Sequence, residues 1–388
     1  MRVNDAKVVG YAFPVDEFGK GKRMFSTTVI KITTDDGITG IAGLGIRYDV
    51  ANALLNSIKN LIIGEDPFNI ERIWFKIYHL EHRRCTGQAL SVLSGIEVAL
   101  WDIIGKKLKL PIYKLLGGAF RDKVKVYASP SWKCSGPPKD FAEHVLTCVE
   151  NGFDVVKLRG GFGFRNAIEM FKTVRDVVGY DVYLAIDLNC GYGPCTAIKL
   201  IKKLERYEPL WIEEPIPPGC IDKYIEVRKA VDTPIAAGEG HTVDELEELI
   251  IRKAVDIIQP DISRHGGLLK VKKICALAEA MEMTVAPHAW STQLNTAAAI
   301  HLAASTPNHL IQEFEVRNES EFLINPLKVQ DGYVKVPDKP GLGMEINEEC
   351  LSKYPYREYG YFHREKPSLR PIHGGEIPDE DFLHFSEL

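Results

Sequence analysis

The sequence predicts an α/β protein: a parallel β/α barrel preceded by a smaller α+β region. Three observations carry this reading. From Val124 onward, apolar β-rich pieces alternate with amphipathic helical stretches, as strands joined by helical crossovers do. The alternation continues until eight strands have passed, which suits a closed barrel with one layer of helices. An open doubly wound sheet usually shows a Gly-rich GxGxxG after its first strand, whereas here that strand runs into Ala128-Ser129-Pro130-Ser131-Trp132.

Ahead of the barrel, residues 24–45 hold two β-rich runs around Asp36-Gly37, a hairpin signal. Helical patterns follow at 50–62, 67–82 and 87–108, and the last stops before Pro111. The barrel strands read VKVYAS, FDVVKL, VYLAIDL, LWIEEP, PIAAGE, VDIIQPD, TVAPHA and LIQEFE. Between them lie amphipathic stretches such as NAIEMFKTVRDVV, TAIKLIKKLERY and TVDELEELIIRKA. After Glu313, residues 331–347 read as a strand, a turn and another strand. Residues 352–388 are polar, aromatic and Pro-rich, and are expected to extend along the domain or a partner subunit.

Composition narrows the function classes. The chain has 388 residues, 45% hydrophobic and 26% charged, an ordinary globular balance with ample material for a core. Its net charge of −5 leaves no basic excess to neutralise phosphates, so nucleic acid is a poor partner. No run approaches the roughly 18 apolar residues of a membrane span, and the N-terminus carries no leader-like apolar segment. A cytoplasmic protein with no membrane contact is expected. The eight cysteines include no CxxC pair, so plain thiols are expected rather than zinc ligands or disulfides.

Catalysis in a β/α barrel sits at the C-terminal ends of the strands. Those ends carry Lys157 and Arg159, Asp187 and Asn189, Glu213 and Glu214, Glu239, Asp261, His288, and Glu313. They recur about every 25 residues, one strand-helix unit apart, so all project to one face. Asp187, Glu213 and Glu239 would repel one another unless a hard cation took their oxygens. With no Cys or His among the three, Mg2+ fits better than zinc. Asp261 and His288 end adjacent strands, which puts a carboxylate beside an imidazole and suits a general base or acid. Lys157 and Arg159, two apart on one strand, point to the same side.

These residues and their order resemble the enolase superfamily, in its mandelate racemase-like branch. The resemblance spans nearly the whole chain through IEVALWDIIGKKLKLPIYKLLGG, VKLR, AIDLN, WIEEP, AAGE, IIQPD, VAPH, IQE and VKVPDKPGLG. It implies a modified TIM barrel, (β/α)7β, beneath a cap made from both chain ends. The expected divisions are a cap over 1–120, a barrel over 121–325, and a C-terminal segment over 326–388 that returns to the cap. It also implies that Asp187, Glu213 and Glu239 hold the metal, and that Lys157 meets the substrate carboxylate. Arg159 would stand where a lysine base stands in relatives, His288 and Asp261 would form the dyad, and Glu313 would be an acid beside the substrate. A symmetric homo-oligomer is implied too, with an octamer as one candidate size.

The expected chemistry is removal of the α-proton of a carboxylate, with Lys157 and a protonated Glu313 beside the charge that develops. A guanidinium stays protonated, so Arg159 is a poor base, and Asn189 stands where some sugar-acid dehydratases carry a histidine. His288 is then the one convincing proton carrier. That favours dehydration of an aldonic or aldaric sugar acid to a 2-keto-3-deoxy acid over a racemase, epimerase or cycloisomerase reaction; a non-catalytic homologue is the distant alternative. Asn189, His241, Ser129 and Trp132 are expected to line the substrate pocket. The stretches 13–23 and 45–51 are expected to be specificity loops.

Overall fold

A computed structural model of the chain describes residues 1–16, 23–79, 86–130, 137–161 and 163–357. Its first unit is an antiparallel sheet of β1 (Val3–Val15), β2 (Arg23–Thr34) and β3 (Thr39–Leu44), in that order. The β2–β3 hairpin turns at Gly37, whose φ of 83° is the left-handed conformation glycine adopts without strain. β1 is missing from the expected elements. Asp5, Lys7, Gly10 and Pro14 are weak strand formers, and what holds them extended is pairing with β2 along nearly the whole length.

Helices α1 (Tyr48–Ile58), α2 (Ile70–Tyr78) and α3 (Gly87–Leu108) follow. α3 is buried on nearly every face from Leu90 to Gly105, because it lies between the three-stranded sheet and the barrel. Gly40 and Gly95 permit that closeness, since a Cβ on either would strike the Ala99 carbonyl or the Leu44 side chain. Among the described helices it alone is long and apolar enough to cross a membrane, and 78% of its apolar stretch is buried inside the fold. A short α4 (Ile112–Leu115) leads to the barrel.

Eight parallel strands follow: β4 (Lys123–Ala128), β5 (Val155–Arg159), β6 (Tyr183–Asp187), β7 (Ile212–Glu213), β8 (Ile235–Ala237), β9 (Ile257–Ile258), β10 (Thr284–Val285) and β11 (Gln312–Phe314). Neighbours in sequence are neighbours in the sheet, and β11 pairs with β4. A bridge between Val285 and His309 closes the ring. The connections carry α5 (Pro138–Glu150), α6 (Phe164–Val178), α7 (Pro194–Leu204), α8 (Ile221–Ala230), α9 (Val243–Ile251), α10 (Gly267–Ala280) and α11 (Gln293–Ala304). Among the described residues that is eight strands with seven helices, the (β/α)7β arrangement expected from the resemblance.

The barrel is solid inside. Tyr127, Val155, Ala185, Trp211, Ala236, Ile257, Ala286 and Ile311 form one buried cluster, one residue from each strand or its edge. Three alanines make room for Trp211 and Tyr127, whose rings meet edge to face at 5.3 Å. Large and small side chains filling one layer is how small barrels reach interior packing density.

The C-terminal segment runs back along both units. β12 (Leu323–Ile324) pairs with β15 (Glu345–Ile346), and the hairpin of β13 (Val329–Gln330) and β14 (Tyr333–Lys335) adds to β4. Asp102 of α3 accepts the amides of Ile41 (3.0 Å) and Leu342 (2.9 Å) and pairs with Lys106 at 2.8 Å. One buried carboxylate thus joins the sheet, α3 and the returning chain. α12 (Glu349–Lys353) ends against β1, where the Tyr11 hydroxyl donates to Glu348 at 3.2 Å. Of the described cysteines, Cys148, Cys275 and Cys350 are buried, Cys195 is exposed, and all six are free thiols.

Candidate active site

Side chains on a strand alternate, so the residue two beyond each member of the buried layer faces the same interior. Counting two along each strand gives Ser129, Lys157, Asp187, Glu213, Gly238, Gln259, His288 and Glu313. The ring above the apolar floor is therefore polar almost throughout, and Lys157, Asp187 and Glu313 are wholly buried in it. Gly238 cannot be replaced cheaply, because a Cβ there would come within 2.7 Å of the Gln259 carbonyl oxygen.

Ion pairs organise this ring. Lys157 pairs with Glu213 and lies 3.1 Å from Glu313 Oε1. Arg159 pairs with Asp187, lies 3.9 Å from Glu313 and donates to the Ser129 hydroxyl at 3.1 Å. His288 Nδ1 is 2.7 Å from Asp261 Oδ2, while its Nε2 pairs with Glu239 and lies 3.6 Å from Glu313 Oε2. Asp261 Oδ1 accepts both the amide and the hydroxyl of Ser263 at 2.7 Å. With its carboxylate so fastened, Asp261 fixes the His288 ring and leaves Nε2 facing the site.

The charge states follow from burial and from neighbours. Burial pushes Asp187 up to about 6 and Glu214 up to about 8, with like-charged neighbours adding to both. For Lys157, burial works against the charge, but Glu213 and Glu313 outweigh it and hold the pKa well above the ordinary lysine value. Burial also opposes the charge on His288, and Glu239, Glu313 and Asp261 override it to reach about 10. In this arrangement His288 is an imidazolium. Glu313 departs from expectation: burial raises it, yet Lys157, His288 and Arg159 prevail and bring it to about 2. It is a carboxylate in this arrangement, whereas the protonated form is the one expected beside the charge that develops on a substrate.

The three expected metal ligands are close enough to influence one another but are not preassembled. Among the described residues no three acidic, His or Cys side chains converge as a metal cage. Asp187, Glu213 and Glu239 are each turned to a cation of the protein, Arg159, Lys157 and His288. The donor set nevertheless fits a hard divalent cation. All its ligating atoms are oxygens, and burial, joined by repulsion from Glu213 and Glu239, pushes Asp187 toward protonation.

Two of the expected pocket residues are engaged elsewhere. Asn189 is turned inward: its amide N–H donates to Asp187 Oδ1 at 2.7 Å and its side chain to Oδ2 at 2.6 Å, with the backbone at φ 48°. It holds Asp187 rather than presenting its amide to a substrate. His241 is buried, and its ring meets Tyr224 edge to face at 5.1 Å. Burial pulls its pKa down to about 4, so it is a neutral, packed ring. Ser129 stays at the site through Arg159. Trp132 lies outside the described residues, as do residues 17–22 of the expected first loop.

Four residues gain importance only in three dimensions. Gln259 donates to Glu213 Oε2 at 2.6 Å, and the two-residue step from Ile257 could have found it. Glu214 accepts the Gly240 amide at 3.0 Å and the Cys190 thiol at 3.2 Å, tying together the loops after β6 and β8. Arg264 stands 3.6 Å from Glu239 and 3.4 Å from Asp261, and His265 also contacts the Asp261 backbone. The last two lie in the turn after β9, not at a strand end, so periodicity gives no signal for them.

Comparison with known proteins identifies the family and supports the fold. Residues 19–117 match the mandelate racemase / muconate lactonizing enzyme N-terminal domain, and residues 140–350 match the enolase C-terminal domain-like family. A D-galactarolactone cycloisomerase of Agrobacterium fabrum is 35% identical over 84% of this chain and 90% of its own length. A D-galactonate dehydratase of Pectobacterium atrosepticum is 33% identical over 83% of this chain and 89% of its own. The crystal structure of a mandelate racemase/muconate lactonizing enzyme from a Sulfitobacter species superimposes with a TM-score of 0.84 at 30% identity, covering 93% of this chain and 97% of that one.

Proposed function

Because this chain belongs to the enolase superfamily, in its mandelate racemase and muconate lactonizing enzyme branch, we propose that it is a magnesium-dependent sugar-acid dehydratase. The reaction removes water from an aldonic or aldaric acid and leaves a 2-keto-3-deoxy acid. The observation that carries this reading is an asymmetry. His288, held by Asp261 at 2.7 Å, is a competent proton carrier, while the opposite side offers Arg159, a guanidinium tied to Asp187 that cannot serve as a base.

Asp187, Glu213 and Glu239 are the residues that would hold Mg2+, which when bound supplies positive charge to the substrate carboxylate. Lys157, wholly buried, donates to the same carboxylate and stabilises the second negative charge as the enediolate forms. Once Glu239 turns away from His288, the strongest influence holding the imidazole proton is gone, so Nε2 releases that proton to solvent and stands neutral with a lone pair free to accept another. His288 then takes the α-proton, the C–H electrons enter the enediolate, and the β-hydroxyl departs as water with the proton His288 returns. The resulting enol becomes the 2-keto acid. An anionic substrate beside Glu313 raises its pKa, so Glu313 recovers a proton and donates. Arg159 and Ser129 orient the substrate, and Asn189 keeps Asp187 aimed. The resemblance supports a symmetric homo-oligomer as the working assembly.

The 35% identity to a D-galactarolactone cycloisomerase supports a second reading, in which the same proton carrier isomerises a lactone. A mass-spectrometric screen of aldonates, aldarates and aldarolactones with Mg2+ separates the two. Loss of one water supports dehydration, and an isomer of unchanged mass supports cycloisomerisation. No loss of water from any sugar acid would sink the main proposal.

A further inference from the structure

We propose that His265 is a positioning residue for the Asp261–His288 pair, through a ring that bridges the loop carrying Asp261 and the loop carrying Glu239. The inference rests on the reading of His288 as the proton carrier. The β8–β9 ladder ends at Ala237 and Ile258, with one further bond from the Gln259 amide to the Ala237 carbonyl at 2.9 Å. Beyond it the two strand ends separate into the loops that bear Glu239 and Asp261. The His265 ring fills that gap. Its Nδ1 accepts the Asp261 amide at 2.8 Å, and its Nε2 lies 2.8 Å from the carbonyl oxygen of His241, two residues past Glu239.

These contacts favour one tautomer. Nε2 faces the His241 carbonyl and carries the hydrogen, while Nδ1, which also lies 3.1 Å from the Asp261 carbonyl oxygen, accepts the closer Asp261 amide. A neutral ring in that tautomer satisfies both, and 2% exposure keeps it so, with burial pushing its pKa down. The ring thus continues a backbone ladder that the strands have abandoned, accepting from one edge and donating to the other. Its own backbone is anchored from outside. The next residue, Gly266, donates its amide to the Ser94 hydroxyl and accepts the Trp74 indole N–H, both at 2.8 Å. The ring therefore presses on Asp261 from a fixed base, and Asp261 sets the His288 ring. A partner of this kind, one step from the reacting groups, typically changes activity by about 10- to 100-fold.

The test compares His265→Ala, His265→Asn and His265→Gln. Asparagine can place an acceptor near Nδ1, and glutamine can place a donor near Nε2. In metal-free protein, the His288 Nδ1 proton shared with Asp261 should give a sharp, strongly downfield NMR signal. It should broaden or vanish in His265→Ala and return in His265→Asn, with thermal unfolding showing both folded. With an identified substrate, kcat of His265→Ala should fall about 10- to 100-fold while KM changes little, and His265→Asn should recover part of it. An unchanged downfield signal in folded His265→Ala overturns the proposal, as does kcat within twofold of the parent. If His265→Ala does not fold, loss of the signal in His265→Gln and its retention in His265→Asn decide. The NMR measurement needs no substrate, so a parent protein that dehydrates nothing removes the functional reading while the proton signal still judges His265.

Discussion

Glu97 of α3 accepts the amide hydrogen of Leu268, the second residue of α10, at 2.7 Å. The Leu269 amide (2.9 Å) and the Trp101 indole (2.7 Å) donate to its other oxygen. A carboxylate from the N-terminal unit thus caps a barrel helix, where a negative charge suits the helix dipole. Gly267, at φ 88°, makes the approach possible, because a Cβ would fall 2.1 Å from the carboxylate. Burial nonetheless raises Glu97 from 4.5 to about 7.

The sign of the pH effect follows. The folded protein keeps a proton on Glu97 that the unfolded chain releases, so this contribution to stability is full below about 4.5 and is lost as pH rises through about 7. Glu97→Gln cannot titrate and turns one N–H toward a donor, so it should be less stable than the parent at pH 4.5. The difference should narrow by up to about 3 kcal/mol by pH 8. Urea unfolding at both pH values checks this, and parallel stability curves would contradict it.

His288→Asn should lower kcat by about 10²- to 10⁴-fold, the usual worth of a positioned acid or base. The variant should keep the parent's melting temperature within a few degrees. Steady-state kinetics beside a thermal melt is the measurement, and unchanged turnover would refute the role given to His288.

Arg159→Lys replaces a fork that reaches Asp187, Glu313 and Ser129 with an amine that can lose its proton. Turnover should drop roughly 10- to 100-fold for the lost charged hydrogen bond. At the same time, solvent deuterium should appear at the α-carbon of recovered substrate, because the second face then has a base. The parent should show no such exchange. Exchange in the parent would favour an isomerase instead.

Mg2+ should raise the melting temperature of chelator-treated protein, since a ligand at about 100 times its Kd adds about 2.7 kcal/mol to the folded state. Asp187→Asn should lose most of that rise. A rise of equal size in the variant would remove Asp187 from the ligand set. Differential scanning calorimetry reads the effect without any substrate.

Much of this arrangement was legible in the sequence because strands place residues at fixed intervals. The eight apolar runs and the acidic or basic residue closing most of them locate the barrel and one face of it. What the spacing cannot show is which side chain answers which. Asn189 and His241 look like pocket residues by position, yet one folds back on Asp187 and the other packs on Tyr224. Glu313 was expected in its protonated form beside the charge developing on a substrate, and spacing alone could not show the cations, Lys157, His288 and Arg159, that hold it ionised in this arrangement. β1 escaped notice because its pairing with β2, a tertiary effect, outweighs its weak intrinsic preference.

The filled layer from Tyr127 to Ile311 makes the barrel a blind well. Its packed floor leaves no passage, so whatever enters the site and whatever leaves it must share one mouth. Release of one molecule and entry of the next then become events of the same opening, on the side where the N-terminal unit stands. Changing that mouth would retune both affinity and turnover while leaving the proton chemistry below it alone.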